Sequence, residues 1–292
     1  MMKMILVPSD FTETAENAAV YALHLAKTMQ AGVKLFNVFK APVEVVGTGV
    51  DWPLSDYTSI EKEITTELYY LATRLKGSNY AAAHTYAPII ECECETGPET
   101  TTITAKVAQE RISLVVMGMS EEGSSEFFLG STNRDIIDKT NCPLLLIPNN
   151  MVYKNPEKIA FATDLRASDV DIVHALASFA RYYNAEILLI HVTDGTNEGD
   201  YHEEVKEFLK GVSSKINYEK VYYRHVKSID VKHGLDWLAE HGQVDMLAMV
   251  HRKHNILDRL FAPSHTHEVA GDARIPVLVF PEAGENVVVS LF

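Results

Sequence analysis

Hydrophobic and polar positions along this chain follow two periods in alternation. Residues 3–7 form a short apolar run that reads as a strand. Residues 12–31 place Ala15, Ala18, Ala19, Ala22, Leu23, Leu25 and Ala26 at helical spacing, and Gly32 then stands where a helix-ending glycine belongs. Residues 33–39 read as a second strand and 56–76 as a helix ending at Lys76-Gly77. Residues 88–95 alternate strictly through Ile90-Glu91-Cys92-Glu93-Cys94-Glu95, the pattern of a strand with two unlike faces. A helix over 99–111, a wholly apolar strand over 113–118, a helix over 131–140 and a strand over 143–147 complete the first half. The second half follows the same order.

The order is the same because the chain repeats itself. Met4 to Asp10 matches Lys158 to Asp164, and Leu35 to Val38 matches Leu189 to Val192, both 154 residues on. Later, Leu114 to Gly118 matches Met246 to Val250. Pro143 and Pro148 match Pro276 and Pro281, both 133 residues on. The second half has therefore lost about 21 residues in its middle, a loss expected opposite the loop-like stretch 41–57 with Pro42, Gly47, Gly49 and Pro53. A linker near Pro148 to Pro156 divides the chain into domains 1–150 and 151–292. Strands alternating with helices imply right-handed crossovers and parallel sheets covered on both faces. The fold class is α/β: two tandem Rossmann-like domains, each a five-stranded doubly wound parallel sheet.

Composition narrows what such a chain does. A length of 292 residues with 47% hydrophobic and 23% charged residues fits two globular domains. The formal net charge is −14, made of −8 in the first domain and −6 in the second. That balance argues against binding nucleic acid or an anionic membrane surface, which needs a basic footprint. No apolar run reaches the roughly 18 residues of a membrane span, and the N-terminus lacks a secretory cleavage pattern. Three cysteines form no disulfide framework and point to a reducing, cytoplasmic setting.

In doubly wound sheets ligands bind beyond the carboxyl ends of the strands, at the switch point. Asp10, Val38 and the segment after Met117 stand there. Gly118 to Thr132 leaves a strand and enters a helix. Glycine lets backbone amides approach a phosphate, and the helix start at Gly130-Ser131-Thr132 offers unpaired N–H donors and a hydroxyl. The same residues also suit a plain loop with a Ser131 or Thr132 cap. No Gly-Lys-Ser/Thr triplet of a P-loop occurs.

The order Val7-Pro8-Ser9-Asp10, then Val38, then Val116-Met117-Gly118…Phe128-Leu129-Gly130-Ser131, then Asn141-Cys142-Pro143-Leu144 closely resembles the universal stress protein family. The resemblance covers nearly the whole chain as two tandem copies. It implies the adenine-nucleotide alpha-hydrolase-like fold, and in nucleotide-binding members ATP lies over the strand ends. Carried over, Gly118 matches the first glycine of the family motif, Gly130 the last, and Ser131 the hydroxyl. Asp10 matches the acid near the ribose and Val38 the residue at the adenine; Pro8, Met117 and Thr132 are counted with them as candidate nucleotide-binding residues. Gly123 keeps an extra glycine before the apolar turn. The departures are that Gly118 and Gly130 lie 12 apart rather than 13, and that Glu121 or Glu122 replaces the middle glycine. Two carboxylates beside a triphosphate repel it unless a metal bridges them, so any ATP is expected with magnesium.

The second domain departs further. Val250 stands in the place of Gly118 and Pro263 in that of Gly130, while Asp164 and Ser264 are kept. A branched Cβ and a missing N–H do not cradle a phosphate. The segment is instead basic and rich in histidine, with His251, Arg252, Lys253, His254, Arg259, His265 and His267. It reads as a polar loop with no metal, as a side-chain anion site, or as a contact with the other half. Cys92 and Cys94 read as core residues, with Glu91, Glu93 and Glu95 as a solvated acidic edge, and Cys142 reads as packing. No nucleophile motif supports turnover. The expected function is a tandem universal stress protein, a stress-response binding protein with an ATP site in domain 1 only. A nucleotide-free scaffold is the alternative, and a slow ATP hydrolase using Glu121 or Glu122 is the third reading. The halves are expected to pair as an intramolecular pseudo-dimer through their last strands. The apolar tail 284–292 leaves room for a homo-oligomer.

Overall fold

A computed structural model describes residues 3–40, 55–78, 86–119, 131–193, 201–228, 244–252 and 275–282. The first half runs β1 (Met4–Pro8), α1 (Glu13–Met29), β2 (Gly32–Phe39), α2 (Ser55–Ser78), β3 (Ile90–Thr96), α3 (Glu99–Glu110), β4 (Leu114–Gly118), α4 (Ser131–Lys139) and β5 (Leu144–Ile147). The second half gives β6 (Lys158–Ala162), α5 (Asp169–Tyr183), β7 (Glu186–Thr193), α6 (Tyr201–Lys215), β8 (Val221–Lys227), β9 (Met246–His251) and β10 (Val277–Pro281). Each half contributes five parallel strands. They join into a single sheet of order β3-β2-β1-β4-β5-β10-β9-β6-β7-β8. The junction is the antiparallel pair β5 and β10, with Leu145 opposite Leu278. The strand direction therefore reverses once, and the carboxyl ends of the two halves open on opposite edges of the sheet.

Two apolar layers sandwich the sheet. One holds Val7, Leu35, Val116, Phe161, Leu189 and Phe280 under α1, α2, α5 and α6. The other holds Leu6, Phe36, Val115, Met117, Leu146 and Met249, with Ile103 of α3 and Ile136 of α4. Continuous runs such as Leu114–Met117 bury alternate residues in opposite layers, so they show no alternation of their own. The linker is fixed as well. Tyr153 stacks on His24 at 4.4 Å and meets Tyr21 edge-on at 4.8 Å. Burial, with Lys27 beside it, holds His24 below the ordinary histidine range.

Three expectations are corrected. Helix α1 does not end on Gly32. It stops at Met29, and Gln30 takes the left-handed conformation, φ 54°. Ala31 N then donates back to Ala26 O at 2.9 Å, the six-to-one bond of a Schellman cap. Asn184, 154 residues on, caps α5 the same way at φ 53°. Second, the shortening of the second half falls within a helix, not only in a loop: α6 has 15 residues where α2 has 24. Residues 41–54 lie outside the described residues. Third, Glu91, Glu93 and Glu95 are no simple solvated edge. Lys34, almost fully buried, pairs with Glu110 at 2.6 Å, Glu93 at 2.8 Å and Glu91 at 3.2 Å. Lys106 of α3 pairs with Glu93 at 2.6 Å and with Glu95. Burial alone would lower both lysines, but the surrounding carboxylates outweigh it and raise them. Cys92 and Cys94 face α2 on the other side. Cys142 is buried, its thiol pushed up to about 12 by that burial, which fits packing.

Candidate functional site

In the first half β1 stops short of its neighbours β2 and β4. After Pro8 the chain turns away, and Phe11 adopts φ 64°, a costly conformation for a bulky side chain. The turn is held locally. Ser9 Oγ accepts from Phe11 N at 3.3 Å. Asp10 Oδ1 accepts from Thr12 N at 3.0 Å and from Thr12 Oγ1 at 2.6 Å. Thr12 Oγ1 in turn caps α1 by accepting from Ala15 N. Strand β2 runs on beyond β1, its Val38 and Phe39 pairing with Glu95 and Thr96 of β3. Asn37 Nδ2 reaches across to Ser9 O at 2.8 Å. On the other flank β4 ends at Met117-Gly118. The fold thus brings Pro8, Asp10, Val38, Met117 and Gly118 to the ends of three neighbouring strands. Val38 and Met117 belong to the same apolar layer, while Asp10 is exposed.

Gly118 has a structural reason to be glycine. A Cβ there would stand 2.7 Å from the carbonyl oxygen of Thr14, so α1 packs directly on its Cα. Asn133 Nδ2 donates to Gly118 O at 3.0 Å and ties the start of α4 to the end of β4. Thr132 Oγ1 donates to Glu99 Oε2 at 3.4 Å. Gly123, Gly130, Glu121 and Glu122 lie outside the described residues. So does the side chain of Ser131.

The second half repeats the turn and then diverges. Leu165 has φ 60° in the place of Phe11. Leu165 N donates to Thr163 Oγ1 at 2.9 Å, as Phe11 N does to Ser9 Oγ. Thr163 N donates to Ile190 O as Ser9 N does to Phe36 O, both at 2.9 Å. The carboxylate of Asp164, however, is taken. Arg252, 4% exposed, donates to Asp164 Oδ2 at 3.0 Å and to Asp169 Oδ1. Asp169 is fully buried and also accepts from Thr163 Oγ1 at 2.7 Å. In the first half the corresponding residue is Ala15, and no ion pair engages Asp10 among the described residues. In the sequence Arg252 is one of several basic residues of its segment. The signal for its role was Asp169, an acid where the repeat has alanine.

The family model of the universal stress protein family matches residues 1–148 and again 156–281. The chain belongs to the universal stress protein family. Among solved structures it is similar to a universal stress protein from Archaeoglobus fulgidus DSM 4304, at 17% identity, TM-score 0.63 and 96% coverage of both chains. It is also similar to a functionally unknown protein from Pseudomonas aeruginosa PAO1, at 15% identity and TM-score 0.58, covering 96% of this chain and 93% of that one. At these identities the likeness shows the fold. No curated protein matches the chain.

The histidines of this universal stress protein are spread out. His251 Nε2 bonds to Asp138 Oδ1 at 2.7 Å, joining β9 to α4 of the other half. His191, in the place of Asn37, lies beside His225 with ring centres 5.9 Å apart. Burial first, and then His225, hold His191 below its ordinary range against the opposing pull of Asp164 and Glu204. Among the described residues no group of three or more His, Cys, Asp or Glu could hold a metal ion, and no helix is long and apolar enough to cross a membrane. His254, His265 and His267 lie outside the described residues.

Proposed function

We propose that this universal stress protein is a stress-response binding protein that takes an adenine nucleotide, ATP with magnesium, in its first half only. The observation that carries the reading is the contrast between the two aspartates. Asp10 is exposed and, among the described residues, pairs with no cation, whereas Asp164 is held by Arg252. Pro8, Val38 and Met117 supply apolar surface for a flat base, and Asp10 supplies an acceptor for hydroxyls. The start of α4 supplies N–H donors for phosphate oxygens. In the second half a guanidinium occupies the acid that would accept from the hydroxyls, and Val250 replaces the glycine, so the same ligand loses an acceptor and meets a branched side chain.

A second reading, the nucleotide-free scaffold, is favoured by one observation. Gly118 is already required by the packing of Thr14, so its presence does not by itself call for a phosphate. Titration of the full chain with ATP and magnesium separates the two. Calorimetry is expected to give one nucleotide per chain, lost in Asp10→Ala and kept in Ser264→Ala. No heat at millimolar ATP, and no nucleotide released on denaturation by mass spectrometry, would leave the scaffold. Two nucleotides per chain would refute the assignment to one half.

A further inference from the structure

We propose that the two outer strands of the sheet are complementary to each other, so that β8 of one molecule accepts β3 of a second copy. They are the ends of the ten-strand order, and among the described residues neither pairs on its outer side. The ladder bonds fix which backbone groups face outward. Val33 N donates to Ile89 O and Ile187 N to Lys220 O, both at 2.8 Å. Alternate residues of a parallel ladder bond to the same neighbour. Ile90, Cys92 and Cys94 therefore turn their N–H and C=O groups outward from β3. Val221, Tyr223 and His225 do so from β8.

Charge and apolar surface match at these two ends. Strand β3 reads Ile-Glu-Cys-Glu-Cys-Glu-Thr, with three acids and no base. Strand β8 reads Val-Tyr-Tyr-Arg-His-Val-Lys with no acid, in a chain of net charge −14; Arg224 lies on the sheet face that carries the glutamates, and His225 and Lys227 on the other. Around β3 the four carboxylates outnumber Lys34 and Lys106, and Glu91 and Glu95 stay 46% and 41% exposed. Large exposed apolar residues gather at the same places. Ile89 precedes β3 at 55% exposure, Tyr69 and Tyr70 lie on α2, which packs against β3, and Tyr222 lies on β8 at 49%. A groove of about 420 Å³ runs along β8, lined by Leu209, Val212, Ile216, Tyr218, Tyr222 and Tyr223.

The topology sets the orientation. Because β5 and β10 are antiparallel, β8 runs opposite to β3. A second copy that continues the sheet with the same layers up thus meets β8 antiparallel. The layers then agree side by side. Ile90, Cys92 and Cys94 share the layer of Val221 and Tyr223, and the glutamate ladder comes to the side of Tyr222, Arg224 and Val226. Such a contact is heterologous, so it extends from copy to copy without closing on itself. One strand pair is a small interface, and association is expected only at high protein concentration.

Sedimentation velocity of the full chain over a concentration series tests this. The wild type is expected to show a sedimentation coefficient that rises with concentration, and the rise weakens at about 0.5 M salt, where screening is strong. Arg224→Glu damages β8 alone and Ile89→Lys damages β3 alone; both sites are exposed, and circular dichroism confirms that the variants fold. Each variant by itself is expected to lose the association. Mixed together they keep one good edge each, so they recover pairs that grow no further. A wild type that stays monomeric at every concentration, or variants that associate as the wild type does, would overturn the proposal. Single variants that still dimerise, with a mixture that adds nothing, would mean like edges pair and would overturn it too. None of these outcomes depends on nucleotide binding.

Discussion

Replacing Arg252 by Met removes a guanidinium that is 4% exposed and leaves Asp169, fully buried, with the Thr163 hydroxyl as its one side-chain partner among the described residues. Breaking a buried pair from one side costs about 3–5 kcal/mol, because the remaining charge stays out of water uncompensated. At roughly 2–4 °C per kcal/mol for a domain of this size, the second half should melt about 6–20 °C lower. Thermal unfolding followed by calorimetry measures it. The reasoning makes a second demand. The first half carries Ala15 where the second carries Asp169, so the double variant Arg252→Met with Asp169→Ala removes both charges and restores the first half's apolar choice. It should recover most of the loss, since uncharged replacement of a buried pair is often neutral. A single variant within about 1 kcal/mol of wild type, or a double variant no better than the single, would refute the view of Arg252 as counter-ion to Asp169.

Gly118→Ala should destabilise the first half by about 1–3 kcal/mol even without ligand, because the new Cβ meets the Thr14 backbone, and urea unfolding checks it. Acid should weaken the first half through Glu93. Burial alone would raise this carboxyl, but Lys106 and Lys34 outweigh it and hold it below the ordinary carboxylate range. A depressed carboxyl contributes stability above its unfolded pKa, and that stability is lost as pH falls through the folded value. Melting temperatures measured downward from pH 5 should therefore fall less steeply in Glu93→Gln than in the wild type. Tyr153→Ala removes the stack on His24 and the edge contact with Tyr21, so the melting temperature should drop by several degrees, an effect of about 3–5 kcal/mol at most.

The fold was legible because apolar runs and helical periods are local, and because duplication printed them twice. The strands over 3–7, 33–39 and 113–118 fall within a residue or two of β1, β2 and β4. The cap of α1 was not legible as a glycine rule. Gln30 holds a left-handed conformation that costs an ordinary residue roughly 1–2 kcal/mol, and the returning bond from Ala31 offsets it. The repeat held the better clue, since Asn184 at the equivalent place is a residue that tolerates that conformation. The charged edge was misread for another reason. Alternation assigns Glu91, Glu93 and Glu95 to one face but does not say what lies across from them. Lys34 comes from β2 and Lys106 from α3, and only the sheet register brings them together.

The candidate site shows the same limit more sharply. Asp10 and Asp164 are equivalent in sequence, in the turn that follows and in the left-handed residue after it. The glycine positions already distinguish the halves in sequence, but the pattern around the two aspartates does not. What separates these two carboxylates is a side chain 88 residues away along the chain, Arg252, arriving from the end of β9. Asp169 makes that arrival stable, for a lone guanidinium would not stay at 4% exposure without a second carboxylate to share its charge. Asp169 and Arg252 therefore depend on each other. Removing Arg252 leaves a fully buried carboxylate with no ion-pair partner among the described residues; removing Asp169 leaves a buried cation whose remaining partners, Asp164 and Glu282, are both partly exposed. The second half thus holds an internal ion pair where the first has Ala15 and, among the described residues, no ion pair on Asp10. Replacing either member of that pair alone should cost the second half stability.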